Sequence, residues 1–209
     1  MPKTNNLTQN QGQFGMFRRK NGRNYTVRDN RDRFFYPDEW MKFFDKLKDS
    51  QKYTFQFLIN TGARINEARH VVPSDIDLER KRIILRVTKT KSKKKERKPR
   101  PRIIPISTQF VKFLRKNPDG KILSTNGANT AMKKALQRAG ISDWKMFSIH
   151  NIRKTLETWI MALDIDGLKI TAHMGHDIVT AAGHYVSPDV FSWEEKSKIR
   201  MIIGDLYQR

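Results

Sequence analysis

The sequence contains no cysteine, no long hydrophobic run and comparatively few acidic residues. Without cysteine, neither disulfide bonds nor thiolate metal sites can form. No apolar stretch approaches the roughly 20 residues that a membrane-spanning helix requires. These absences argue against a disulfide-bonded scaffold, a cysteine-ligated zinc module and a membrane-spanning protein, and we expect a cytoplasmic protein.

The shortage of acidic residues leaves a large positive charge. The chain of 209 residues carries 42 lysines and arginines against 21 aspartates and glutamates, a formal net charge of +21. Such an excess attracts polyanions. Nucleic acid is therefore the first expected partner, ahead of an anionic membrane surface. A hydrophobic content of 37%, with 12 phenylalanines, indicates a folded core rather than a disordered chain.

The hydrophobic pattern divides the chain into two parts. Residues 1–33 are rich in Asn, Gln, Gly, Lys and Arg and show no apolar periodicity, which predicts a flexible basic arm. A degenerate linker or an expression leader is the alternative. From Tyr36 and Pro37 onward the pattern becomes periodic, so we predict one folded domain over residues 34–209.

Most of this domain is predicted to be helical, with one small antiparallel sheet. Apolar residues recur at helical spacing after Pro37, which suits the first position of a helix. Residues 83–87 and 102–106 predict a hairpin whose tip, residues 88–101, is dominated by Lys and Arg. Further helices are expected at about 52–60, from 64 onward, near 110–114, over 132–139, over 149–163 and over 192–208.

Two short segments suggest chemistry. In Thr61-Gly62-Ala63-Arg64, a glycine turn leads into a helix and places Arg64 near N-terminal amides, which favour anions. In His150-Asn151-Ile152-Arg153, residues three apart lie on one side of a helix, so His150 and Arg153 can handle a proton and a phosphate together. Each segment has an ordinary alternative: a solvated or paired arginine, and a surface histidine beside an arginine whose stem packs.

Two further segments complete an ordered set, Met174-Gly175-His176 and Gly183-His184-Tyr185. Together the four resemble the signature of the tyrosine recombinase (phage integrase) family, which runs Arg, Lys, His-x-x-Arg, a Leu-Gly-His-like triplet and Tyr. His176 follows Arg153 by 176 − 153 = 23 residues, and Tyr185 follows His176 by 185 − 176 = 9 residues. Both spacings are similar to those of the family.

The resemblance covers roughly residues 33–209 and implies a fold and an activity. The fold is an α+β, mainly α-helical catalytic domain with a small three-stranded antiparallel sheet. The activity is site-specific DNA recombination or integration through a covalent 3′-phosphotyrosine, with no metal, no cofactor and no ATP. The implied partners are double-stranded DNA with a specific target site and, on synapsed DNA, three further copies in a homotetramer, with a monomer free of DNA. A prokaryotic or viral origin is expected.

The resemblance also assigns roles to matching residues. Arg64 and Arg153 are expected to hold the non-bridging oxygens of the scissile phosphate. Tyr185 is the expected nucleophile. His150 is expected to act as general acid or base beside it, and His176 to hydrogen-bond the phosphate. These residue types suit the reaction because two forked guanidiniums can stabilise the charge that builds when a phenol attacks a phosphodiester.

Two supporting roles follow from the same resemblance. Glu67 resembles the acidic residue that steadies the Arg64 segment. Lys89 best matches the family's catalytic lysine, which protonates the leaving oxygen, and Lys91 is the alternative because the cationic tip leaves the register ambiguous. The remaining basic residues of the tip are expected to contact DNA phosphates, although a solvated loop is the other interpretation. The expected DNA-binding residues are Lys91, Lys93, Lys94, Lys95, Arg97, Lys98 and Arg100.

The chain departs from the family pattern in three places. Met174 stands where Leu is usual, and Lys154 stands where a second His is common. Family members usually carry a separate helical DNA-clamping domain upstream, whereas about 33 arm-like residues precede the predicted domain here. We therefore expect that domain to be absent, in either an excised domain or a minimal recombinase.

Several competing interpretations remain. A metal site built from His173, His176, His184 and Asp177 is disfavoured because His176 has a better role and cysteine is absent. Tyr207 could be a nucleophile, but its place on the terminal helix indicates packing. That helix, 192–208, could dock on its own domain or on a neighbour's. The alternative functions are a type IB topoisomerase-like DNA-relaxing enzyme and a non-catalytic basic DNA-binding protein.

Overall fold

The structure is a computed structural model that describes residues 33–86, 101–175 and 191–208, together with the backbone of two short strands. These strands, β1 (Met16–Arg18) and β2 (Asn24–Thr26), pair antiparallel. The segment predicted to be a flexible arm therefore contains one antiparallel pairing, which its lack of apolar periodicity did not indicate. Within the described ranges, no helix is both long enough and apolar enough to cross a membrane.

Helices make up most of the described domain. They are α1 (Pro37–Asp45), α2 (Asp49–Thr61), α3 (Ile65–Arg69), α4 (Thr108–Lys116), α5 (Thr125–Arg138), α6 (Ile149–Ala162), α7 (Gly167–Met174) and α8 (Trp193–Ile203). Pro37 occupies the first turn of α1, as predicted, and α5 stops before Gly140, whose φ of +72° suits glycine. The helices expected from apolar spacing are confirmed, with ends that shift by a few residues.

Three strands form the predicted small sheet. They are β3 (Ile76–Asp77), β4 (Arg82–Leu85) and β5 (Arg102–Pro105), antiparallel in the order β3-β4-β5. Ile83 and Leu85 are buried on one face because side chains alternate along a strand. Leu85 pairs with Arg102, so Arg102 begins β5 at the sheet end from which the cationic segment leaves. The prediction of a mainly helical domain with a three-stranded antiparallel sheet is confirmed.

The residues just before α1 belong to the core. Phe34 and Phe35 are fully buried. The Phe35 N–H donates to Thr155 Oγ1 at 2.9 Å, and the Phe35 carbonyl accepts from Trp159 Nε1 at 3.0 Å. Packing therefore begins before Tyr36, where the periodic pattern starts, because an extended segment of three residues is too short to show a period.

Helix α7 was not predicted. It has eight residues, and the side chain of Asp166 caps it by accepting from the N–H groups of Leu168 and Lys169 at 2.9 and 3.2 Å. It ends at Gly175, whose φ of +66° lies in the left-handed region that favours glycine. This helix carries the chain to the segment that begins with His176.

Helix α8 begins with a capping box. The Ser192 hydroxyl accepts from the Glu195 N–H at 3.2 Å, and the Glu195 carboxylate accepts from the Ser192 N–H at 2.8 Å. Ile199 and Ile203 are fully buried, and the helix packs against α1 and α6. The apolar face is thus covered by its own domain. The helix ends at Ile203 rather than at residue 208, because Gly204 with φ +67° interrupts it.

Candidate active site

A tight turn presents Arg64. Gly62 ends α2 in the left-handed conformation, φ +58°, and its N–H donates to the Leu58 carbonyl at 2.9 Å. A Cβ at Gly62 would lie 3.1 Å from side-chain atoms of both Leu156 and Met174. Glycine therefore serves both the turn and the close approach. Arg64 follows as the N-cap of α3, with 45% of its side chain exposed, so its guanidinium can reach a ligand.

A buried carboxylate, that of Glu67, holds this turn in place. Glu67 is 1% exposed, and its Oε2 accepts the Arg64 N–H at 2.9 Å while its Oε1 accepts Arg64 Nη1 at 2.9 Å. Arg102 adds two further contacts, Nη1 to Oε1 at 3.1 Å and Nη2 to Oε2 at 2.7 Å. Burial alone would raise the pKa of Glu67, but the hydrogen bonds and charges of these two arginines outweigh it and lower the pKa to about 2. Glu67 is an anion at every pH at which the protein would function.

Arg153 lies on α6 beside the turn and is 4% exposed. Its Nη1 donates to the Gly62 carbonyl at 2.6 Å, and its Nη2 donates to the Met174 carbonyl. Burial, then the charges of Arg64 and Arg102, lower its pKa from the ordinary value, although a guanidinium stays charged at neutral pH. Each Nη carries two protons, so these contacts leave a second N–H on both nitrogens. Arg153 thus joins the ends of α2 and α7 and remains a donor toward an anion.

His150 lies three residues before Arg153, at the exposed start of α6. Incomplete hydration of the ring, followed by the positive charges of Arg153 and Arg64, lowers the pKa of His150 below its ordinary value. The imidazole is therefore mostly neutral at pH 7, and one ring nitrogen can accept a proton. A proton acceptor next to two guanidiniums is an arrangement suited to chemistry on a phosphate.

The structure brings four predicted site residues together, Arg64, Glu67, His150 and Arg153. The other predicted site residues lie outside the described ranges, so their roles stay predictions. These residues are Lys89, Lys91, Lys93, Lys94, Lys95, Arg97, Lys98, Arg100, His176 and Tyr185.

Two residues at the site escaped prediction. Arg102 was interpreted only as part of a strand, yet its side chain contacts Glu67. The sequence signal that could have singled it out is its position, at the end of the cationic segment and at the start of the predicted strand. Asn151 lies inside the His-x-x-Arg segment, and its amide oxygen accepts the Ser148 N–H at 2.7 Å while its Nδ2 donates to the Arg33 carbonyl at 2.6 Å. Asn151 therefore anchors the start of the helix that carries His150.

His173 is a structural residue. Its Nε2 lies 3.0 Å from the Thr61 carbonyl, which can only accept, so Nε2 donates and Nδ1 accepts from the Tyr207 hydroxyl at 2.8 Å. Complete burial lowers the pKa of His173 to about 3. Burial also raises the pKa of Tyr207, which disfavours Tyr207 as a nucleophile and agrees with its interpretation as a packing residue.

No three His, Asp or Glu side chains converge as a metal site would require, within the ranges that the structure describes. Of the four residues considered for a metal, His173 has both ring nitrogens engaged, while His176, His184 and Asp177 lie outside those ranges.

Solved DNA recombinases share this fold. XerA recombinase is 19% identical, with a TM-score of 0.60, over 81% of this chain and 64% of that one. The Tn1549 transposon integrase, solved with transposon right end DNA, is 15% identical, with a TM-score of 0.58, over 81% and 65%. The XerH recombinase bound to difH before cleavage is 17% identical, with a TM-score of 0.56, over 87% and 58%. This chain spans less than two thirds of each of these proteins.

No curated protein sequence matches this chain significantly. By contrast, the model of one protein family, described as the phage integrase family, matches residues 33–190. That range covers more than half of the chain and includes Arg64, Glu67, His150 and Arg153. The matching family, the recombinase fold and the clustered arginines agree, and the chain belongs to the phage integrase family of tyrosine recombinases.

Proposed function

We propose that this chain is a site-specific DNA recombinase or integrase that cuts and rejoins double-stranded DNA. The observation that carries the proposal is the convergence of Arg64 and Arg153, from two different elements, beside His150. Two guanidiniums within one site suit a phosphodiester because they can contact both non-bridging oxygens. The net charge of +21 supports a nucleic-acid substrate, and the similar Tn1549 integrase and XerH were solved with DNA.

The proposed reaction is a transesterification. The phenol oxygen of Tyr185 attacks phosphorus, the P–O5′ bond breaks, and the 3′-phosphate becomes attached to the tyrosine. The phenol proton passes to His150, and Lys89, or Lys91 in its place, protonates the departing 5′-oxygen. In the second step a 5′-hydroxyl gives its proton to the lysine and attacks the phosphotyrosine; the P–O bond to Tyr185 breaks, and His150 returns a proton to the phenol oxygen. The phosphodiester energy is conserved in the covalent intermediate, so no ATP is consumed.

The other site residues act on the phosphate. Arg64 and Arg153 stabilise the charge that builds on its equatorial oxygens, and His176 adds a hydrogen bond. Glu67 keeps the Arg64 turn in place through two contacts, to the amide and to the guanidinium of Arg64. The arginines supply this stabilisation as fixed charges, which is how the site would work without a metal.

The cationic segment between β4 and β5 is proposed to contact DNA phosphates on either side of the cut. Binding would then weaken steeply with salt, because each neutralised phosphate releases counterions. On synapsed DNA we propose a homotetramer. The apolar face of α8 is buried on its own domain, so any exchange of this helix between protomers would first have to expose Ile199 and Ile203.

The test is recovery of a covalent protein–DNA adduct. A pool of nicked DNA duplexes with randomised sequence, together with the DNA that flanks the gene, is incubated with the full chain. Adducts that survive denaturing detergent are digested with protease and sequenced. We expect enrichment of one sequence, an adduct on Tyr185, and no adduct from Tyr185→Phe. Tyr207→Phe is the matched control, and it should retain the adduct.

Other outcomes point to the alternatives. DNA binding without any adduct, equal in the chain and in Tyr185→Phe, would favour a non-catalytic DNA-binding protein. Adducts spread over the pool without sequence preference, with relaxation of a supercoiled plasmid, would favour a type IB topoisomerase-like enzyme.

A further inference from the structure

Arg102 is mostly buried and lies where three parts of the site meet. It begins strand β5, paired with Leu85, and its side chain is 10% exposed. Its Nε and both of its Nη atoms donate to groups of the protein. Its contacts therefore have to explain its presence.

The side chain of Arg102 spans two elements besides its own strand. Both of its Nη atoms donate to the two carboxylate oxygens of Glu67, at 3.1 and 2.7 Å. Its Nε donates to the His173 carbonyl at 2.9 Å, in the last turn of α7. One rigid, planar group thus joins the helix behind Arg64 to the helix that leads to His176.

The contacts with Glu67 determine how much of Arg64 is available to a ligand. Arg102 approaches the carboxylate with a two-pronged pair, the geometry that arginine and carboxylate prefer. Arg64 contributes its backbone N–H and a single guanidinium nitrogen, Nη1. If Arg102 were removed, the buried carboxylate would draw the Arg64 guanidinium into the two-pronged pair instead. Arg64 would then be turned away from the substrate.

The other side of Arg102 packs against a glycine. A Cβ built on Gly175 would lie 2.9 Å from Arg102 Cδ, and the φ of Gly175 is +66°. The backbone before His176 therefore lies directly on the Arg102 side chain. The neighbouring carbonyl, of Met174, accepts from Arg153. Arg102 and Arg153 hold the end of α7 at two successive carbonyls, those of His173 and Met174.

We propose that Arg102 is a positioning residue of the reaction: it satisfies Glu67, so that the Arg64 guanidinium stays directed at the phosphate, and it holds the end of α7 at the His173 carbonyl. This inference rests on the proposed recombinase function. Arg102 itself does not touch the substrate.

The test compares Arg102→Gln and Arg102→Lys with Arg82→Gln. Arg82 lies on the adjacent strand and forms an ion pair with Asp77 at 3.0 Å, but 44% of its side chain is exposed, so it is a matched loss of charge outside the site. DNA binding and the single-turnover rate of adduct formation are measured for each full-length variant on the sequence that the pool selects. A displacement of reacting groups by about 1 Å can cost about 100-fold in rate.

We expect Arg102→Gln to slow adduct formation about 100-fold while DNA binding changes by less than about 5-fold. Arg102→Lys should recover part of the rate, because the lysine ammonium restores the positive charge but not the two-pronged contact of a guanidinium. Arg82→Gln should match the parent chain. Equal rates for Arg102→Gln and Arg82→Gln, or equal losses in binding and in rate, would overturn the proposal.

Glu67→Gln separates positioning from mere stability. In the Arg102→Gln background it removes the buried charge that has lost its partner, so resistance to urea should recover. Adduct formation should not recover, because the end of α7 still lacks its contact with Arg102 and Gln at position 67 cannot hold the Arg64 guanidinium by an ion pair. Recovery of both together would mean that Arg102 acts only on stability.

A structural readout distinguishes the failure of this inference from the failure of the proposed function. If the parent chain forms no adduct, the recombinase proposal fails on its own. The guanidinium of Arg64 is then followed by NMR in the parent chain, Arg102→Gln and Arg82→Gln. A change in its resonances in Arg102→Gln alone would uphold the positioning role, and identical resonances in all three would refute it.

Discussion

Two clusters of arginine and carboxylate, one around the buried Arg33 and one around the buried Glu67, differ in their balance of charge. In the first, which we call the entry cluster, Arg33 contacts Glu39 at 2.6 Å and Asp143 at 2.7 Å. Among the residues that the structure describes, one arginine against two carboxylates leaves a net charge of −1. In the second, the phosphate cluster, Glu67 contacts Arg64 and Arg102, and Arg153 lies close enough to interact electrostatically with all three. Three arginines against one carboxylate leave a net charge of +2.

This difference in sign separates a structural ion pair from a site for an anion. Burial by itself lowers the pKa of Arg33, but hydrogen bonds to Glu39 and Asp143 raise it overall. Arg153 is also buried, yet burial and the nearby arginines lower its pKa, and the charges of Glu67 and Glu157 only partly offset them. Charges held together against mutual repulsion mark a place where an anion would be bound. The entry cluster needs no ligand to be stable.

The variant with the largest expected effect is Arg153→Gln, which tests whether the phosphate cluster serves cleavage rather than stability. Loss of one guanidinium should slow adduct formation by about 1000-fold, because it removes charge stabilisation where charge develops. Stability should change little, since relief of repulsion from Arg64 and Arg102 opposes the loss of two carbonyl contacts. The measurements are single-turnover cleavage and urea unfolding. Cleavage within 10-fold of the parent chain would contradict the assignment.

The entry cluster should respond in the opposite way. Arg33→Gln leaves Glu39 and Asp143 without their cation, and we expect a loss of about 2–3 kcal/mol in the free energy of unfolding, since breaking a buried pair leaves uncompensated charge. Cleavage per folded molecule should not change. Urea unfolding and active-site titration test both statements. A cleavage defect at full stability would erase the distinction between the clusters.

The pH dependence of stability tests whether Glu67 is held as an anion in the folded chain. Its pKa in the folded chain is about 2, below the ordinary value of 4.5, so the stability gained from its ionisation is complete above 4.5 and is lost as pH falls toward 2. By linkage the loss is about 3 kcal/mol at most. The parent chain should therefore lose more stability between pH 5 and pH 2.5 than Glu67→Gln does. Parallel stability curves would show that Glu67 is not held as an anion.

His173 serves as an internal control in that experiment. Burial lowers its pKa to about 3, so the unfolded chain takes up a proton between pH 6.5 and 3 that the folded chain resists, and stability falls with pH over that window. The effect is present in both proteins. The difference between the parent chain and Glu67→Gln therefore cancels it.

The smallest expected effect is that of Tyr207→Phe. Removing the hydroxyl leaves His173 Nδ1 without its donor at a buried position, which should cost about 1 kcal/mol. The adduct should form at the parent rate, because Tyr207 lies outside both the phosphate cluster and the proposed nucleophile. Thermal unfolding and adduct formation check the two parts. Loss of the adduct would revive Tyr207 as a candidate nucleophile.

The elements that could be predicted from the sequence are those with long apolar patterns. Long amphipathic stretches such as residues 149–163 were recognised because apolar residues recur over several turns. Helix α7 was missed because its eight residues bury only Ile170, His173 and Met174. The periodic pattern was recognised only from Tyr36, and Arg33 was assigned to the arm, because an extended segment of three residues carries no period; Arg33, Phe34 and Phe35 are nevertheless buried.

The residues of the candidate site likewise divide into those that a sequence motif identified and those that only the structure revealed. Arg64, His150 and Arg153 were found because they belong to an ordered set of motifs with family spacing. Glu67 was assigned its supporting role by the same family resemblance. Arg102 has no motif of its own, since it touches Glu67 across 35 positions and His173 across 71. Nothing in a local pattern records such a contact.

The sequence by itself determined the chemical inventory: a polycationic chain without cysteine, its helices and hairpin, and the ordered arginines, histidines and tyrosine of one family. Only the tertiary structure decided which contacts position the side chains of the site. It placed Arg153 on the carbonyls of Gly62 and Met174, and it gave Glu67 a second arginine from the sheet. The physical reason is that periodicity and motifs report on neighbours along the chain, whereas buried hydrogen bonds are satisfied by whichever groups the packing of helices brings near.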